Sequence, residues 1–243
     1  MVYTERVKDV MEFIQENPIN VKSQRMFYVP TSQLDPARLP DVVENLQAED
    51  VILERKEHDR INRPQLNKME EHMADVTVAM LYLACGGMDE SHNIVLPYSW
   101  PDQEAMSGPP ILNSPAIKES EYCHALVHRK EGDILGELGT IGFNNCKFWF
   151  RKTGYHPLFK VVNKEALALG SKYPGSRSVA SFLDQIKGNE NVWHPDVFSD
   201  LCANALTSRE DEDMMKFCNE LSGKEWQLLM DHCNAKTNPE NLL

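Results

Sequence analysis

The stretch Pro64–Cys85, PQLNKMEEHMADVTVAMLYLAC, decides how the chain folds. Leu66, Met69, Met73, Val76 and Met80 step by three, four, three and four, the recurrence of one helix face. Toward Leu81, Leu83 and Cys85 the pattern turns apolar all round, which predicts a central position for this helix. Pro64 suits the first turn, where a missing N–H costs nothing, and Gly86-Gly87 closes the far end.

Upstream, Val7, Val10, Met11 and Ile14 predict a helix over 4–16, stopped by Asn17-Pro18. A Pro-punctuated stretch follows, with Met26–Val29 as its one short strand. A helix over 41–58 is expected next, capped by Asp41 with Glu44 and breaking near Val51–Leu53. Residues 86–114, rich in Pro, Ser and Gly, read as a long irregular connection. Tyr98 and Trp100 mark it as packed rather than disordered.

Downstream, Ser114-Pro115 opens a helix that should reach Arg129 or Lys130 and stop at Gly132. Gly136, Gly139 and Gly142 then predict turns, with a short strand over Lys147–Arg151. Helices are expected over 164–169, 178–187, 195–206 and 210–221, and a capping box Ser222–Glu225 opens a last one. The fold class is therefore mainly α: a multi-helical globular domain with a Gly/Pro-rich central region and at most a few short strands. It is expected to be a single domain over 1–243, dividing, if anywhere, into 1–112 and 113–243.

The 243 residues carry 37 Asp+Glu against 25 Lys+Arg, a net charge of −12. Such a surface repels phosphate backbones and anionic lipid, which argues against nucleic-acid and membrane partners. The N-terminal segment has no apolar h-region, and Val76–Cys85 is too short to span a bilayer, so a soluble, cytoplasmic protein is expected. Six cysteines without a C-x-x-C pair read as free thiols in a reducing compartment.

One segment concentrates chemistry. Glu121, His124, His128 and Glu131 fall along one helix face. Two imidazoles at i and i+4 can hold one metal ion, so His124 and His128 are the candidate metal ligands, with Zn²⁺ or Fe²⁺ as the ion. Glu121, Glu131 and, from the following loop, His156 are the candidate acid–base groups. The segment 93–113 would wall the pocket.

Known signatures do not fit. A zincin needs Glu where Ala125 stands. Glu121-x-x-His124 has the di-iron spacing but no second copy, with Asp89-x-x-His92 a near miss in a Gly-flanked loop. Gly136, Gly139 and Gly142 lack the dinucleotide spacing, and neither a P-loop nor a Gly-x-Ser-x-Gly elbow occurs. Phe148-Trp149-Phe150 reads as core, and Arg60, Arg63, Arg129 and Arg151-Lys152 each as solvated surface or an anion contact. Two functions remain: a small-ligand or metal site on the His124/His128 helix, extending to a metal-assisted or His/Glu acid–base enzyme, or a non-catalytic acidic module that binds a protein partner.

Overall fold

The computed structural model describes residues 2–16, 39–54, 65–100, 108–134, 139–187, 193–207 and 211–239. The expected strand at Met26–Val29, Arg60, Arg63, Pro64 and Gly136 lie outside them. Nine α-helices, and no strand, are found among the described residues: α1 Glu5–Glu16, α2 Lys68–Ala84, α3 Met88–Ser99, α4 Ile117–Ile134, α5 Gly139–Thr153, α6 Phe159–Gly170, α7 Arg177–Lys187, α8 Pro195–Thr207 and α9 Glu212–Thr237. The described residues group into two compact units, one of 2–16, 39–54, 65–100, 108–124 and 229–239, the other of 125–134, 139–187, 193–207 and 211–228.

In the first unit α2 is the core, as its sequence demands. Asn67 accepts from the amides of Met69 and Glu70 at 2.9 and 3.0 Å, while the Glu70 carboxylate accepts from Asn67 N at 2.9 Å, a reciprocal cap. From Met73 to Leu83 every residue except Asp75 is buried. The helix ends where Gly86 takes a φ of 95°, a conformation that favours glycine. Val7 and Val10 of α1 pack beside two 3-10 turns, Asp41–Val43 and Ala48–Val51. These turns replace the helix expected over 41–58. Asn45, at φ 57°, breaks the segment, and its capping box is formed by Gln47 and Asp50 rather than Asp41 and Glu44.

The irregular connection expected over 86–114 contains a helix instead. Ser91, Val95 and Tyr98 recur at four and three on the buried face of α3, which packs on α2. Pro97 removes one N–H, but the carbonyl it would have served belongs to Asn93, which is exposed and can bond to water. Tyr98 donates its hydroxyl to Asp75 of α2.

The second unit overturns two glycine-based expectations. Rather than stopping at Gly132, α4 runs on to Ile134, and α5 occupies the segment expected to turn. The glycines serve contact, not chain reversal. A Cβ on Gly142 would sit 2.2 Å from the Gly132 nitrogen, and one on Gly132 would sit 2.7 Å from the Phe143 ring. Phe143, Cys146, Trp149, Phe150 and Thr153 then form a buried stripe at helical spacing, which places Trp149 and Phe150 in the core and leaves Phe148 exposed.

A capping box at Ser222 is also absent. One helix, α9, runs through Ser222-Gly223, because Ser222, Glu225 and Trp226 continue the buried face begun by Phe217, Cys218 and Leu221. Glu225 is committed elsewhere. Its carboxylate pairs with the Arg129 guanidinium and accepts from Trp193 Nε1 at 3.3 Å. Arg129 lies over the Phe198 and Phe150 rings, at 5.0 and 5.9 Å from their centroids. It is therefore a buried structural ion, not a surface anion contact. Burial works against its charge, but Glu225 holds its pKa above the ordinary arginine value.

Gly142→Ala is expected to lower stability by about 2 kcal/mol or more, since backbone cannot move aside cheaply. Gly223→Ala, whose Cβ meets nothing within 4 Å, should raise it by about 0.5–1 kcal/mol. Urea midpoints measure both, and a neutral Gly142→Ala would contradict the α4–α5 contact. Arg129→Met should cost about 3–5 kcal/mol by stranding Glu225, and pairing it with Glu225→Leu should recover much of that. Equal losses in the single and double variants would count against the buried pair.

Candidate metal centre

Two helices build the site. In α3, Ser91 contacts Cys123 of α4 through its hydroxyl, at 3.8 Å from the sulfur, and the adjacent His92 meets His124 edge to face. The two ring centroids are 4.6 Å apart with an interplanar angle of 88°. His124 is fully buried. Its Nδ1 lies 2.8 Å from Ser99 Oγ at the last turn of α3.

The Ser99 hydroxyl also reaches the carbonyl of Val95 at 2.9 Å. With its hydrogen on that carbonyl, Oγ accepts from His124 Nδ1, and Nε2 then holds the lone pair.

His128 follows one turn along α4 and holds its place relative to His124 because both ride one continuous helix. Its side chain is 14 % exposed, and its Nδ1 lies 2.7 Å from Glu131 Oε2, again leaving Nε2 as the nitrogen with the lone pair when the ring is neutral. His92 is set against His124, and His128 stands one turn along the same helix as His124. The chain thus contains a histidine cluster that could bind a metal ion.

Other predicted site residues have separate settings. Glu121 is buried one turn ahead of His124. His156, in the second unit, is buried before α6 and accepts from Leu158 N at its Nδ1, 3.3 Å away. Its proton therefore sits on Nε2, the opposite tautomer to His124. Cys123, adjacent to His124, is an inert thiol, which burial pushes up to about 12.

The residue that sequence reasoning missed is His92. Its signal was present in Asp89-x-x-His92 and in the four–three spacing of Ser91, Val95 and Tyr98, but the surrounding Gly and Pro had removed the segment from consideration as helix. Glu119 was missed as well: buried in the first unit, it accepts from His232 Nε2 at 2.9 Å and Lys236 Nζ at 2.7 Å. Among the described residues, no helix is long and apolar enough to cross a membrane. Set against protein-family models, curated proteins and solved structures, the chain matches none.

Proposed function

We propose that His92, His124 and His128 bind one divalent transition metal, Zn²⁺ or Fe²⁺, and that this centre is where the protein takes a small ligand or carries out metal-assisted chemistry. The carrying observation is the pair of anchored rings. His124 and His128 each hold a hydrogen-bond partner on Nδ1, the outer-shell arrangement that turns Nε2 toward a metal. Imidazole donors of this kind suit Zn²⁺ or Fe²⁺ far better than Mg²⁺.

Tetrahedral Zn–N bonds of about 2.0–2.1 Å put ligand nitrogens roughly 3.3 Å apart. This reading has Ser99 hold the His124 ring while His92 and His128 turn toward the ion. Glu131 acts as a positioning residue for His128. Glu121, on the same face one turn earlier, is the carboxylate this reading assigns to proton transfer. Because metal binding requires neutral imidazoles, acid competes with the ion for all three rings.

Metal analysis of protein prepared without a His tag and loaded with Zn²⁺ tests the reading. About one equivalent should be retained, and His92→Ala, chosen because that ring is part-exposed, should retain less than a tenth. Glu131→Gln should weaken binding by about 10–100-fold with an unchanged circular dichroism spectrum. Wild-type protein that retains less than a tenth of an equivalent, or a His92→Ala variant that retains as much as wild type, would contradict the proposal.

A further inference from the structure

The second unit carries polar atoms that its own groups leave unsatisfied. Arg129 Nη1, Ser222 Oγ and both amide atoms of Asn219 are closed off from solvent and have no hydrogen-bond partner among the described residues. The three residues are 5 %, 2 % and 6 % exposed, so bulk water cannot serve them. Native interiors rarely tolerate such atoms, because each forfeits its hydration and gains nothing in return.

Helix geometry places the first two together. Ser222 stands one turn after Cys218 and one turn before Glu225 on α9. Both neighbours face Arg129: Glu225 pairs with its Nη2, and the Cys218 thiol feels the guanidinium charge. Ser222 therefore shares the buried face of α9 with Glu225, the residue that pairs with Arg129, one turn away. Asn219 adds a donor and an acceptor one turn before Ser222, on the flank of the same stripe.

The chemistry of these atoms selects the occupant. An anion would bring a second negative charge beside Glu225, and a cation would meet Arg129. An apolar molecule would leave every atom as it is. The stripe offers a donor at Arg129, a donor and an acceptor at Asn219, and a hydroxyl that does both. A small neutral molecule that donates and accepts equally matches it. We propose that ordered water occupies this stripe, with one molecule bridging Arg129 Nη1 and Ser222 Oγ and a second serving the Asn219 amide. The interior contact between α4 and α9 within this unit is then a hydrated polar relay, not a dry seam.

A high-resolution crystal structure of the full chain tests this. Water density is expected at about 2.7–3.2 Å from both Arg129 Nη1 and Ser222 Oγ. Ser222→Ala should lose that peak and keep the one at Asn219, and Asn219→Leu should do the reverse. Ordered side chains with no density between them, or density for an ion or a larger molecule, would overturn the proposal. Should a variant fail to fold, water ¹⁷O relaxation dispersion of the wild-type protein decides: long-lived internal waters are expected, and their absence would overturn it.

Discussion

Ser99 Oγ lies 2.8 Å from His124 Nδ1 and 2.9 Å from the Val95 carbonyl of its own helix, so one hydroxyl joins the last turn of α3 to a fully buried imidazole of α4. Much of the first unit's chemistry depends on that contact. It gives the buried ring a partner on Nδ1, and it fixes the end of α3 against α4. Tyr98, the preceding residue, donates to Asp75 and ties the same turn of α3 to α2. The Asp75 carboxyl is pushed above its ordinary value by burial, against which the Tyr98 hydrogen bond acts. Two adjacent side chains at one helix end thus lock both neighbouring helices, and His92 is brought to His124 as a consequence.

The second unit solves a related problem differently. Arg129 and Glu225 are both buried, and taking two charges from water is favourable only with good geometry and further partners. Those partners are present in the Trp193 indole and the Phe150 and Phe198 rings. Around them the thiols behave as small hydrophobes. All six cysteines are free and buried, and burial pushes Cys85, Cys123 and Cys146 up to about 12. Burial therefore disfavours the thiolate at those three positions.

The helices with an uninterrupted apolar period were legible in the sequence: α1, α2, α7 and α8 stand close to where their spacing put them. The misreadings share one physical cause. Gly142 and Gly132 were taken as helix breakers, yet their missing side chains let two helices touch. Pro97 was taken as a loop marker, yet near a helix end, where the carbonyl it leaves unserved belongs to exposed Asn93, it costs a single hydrogen bond. Ser222 and Glu225 have the spacing of a cap, and only tertiary structure shows Glu225 committed to Arg129. Local signals report what a backbone tolerates; long-range contacts decide which tolerance is used. The same logic explains the site. His124 and His128 could be found by spacing, whereas His92 lies 32 positions before His124 and only the pairing of α3 with α4 brings it in.

Anomalous diffraction at the zinc edge from crystals grown with Zn²⁺ bears most directly on this picture. A single strong peak should appear at about 2.0–2.1 Å from Nε2 of His92, His124 and His128. Ser99 and Glu131 should remain on the Nδ1 atoms of the second and third rings. A peak elsewhere in the chain, or zinc held through the Nδ1 of His124 with Ser99 displaced, would contradict it.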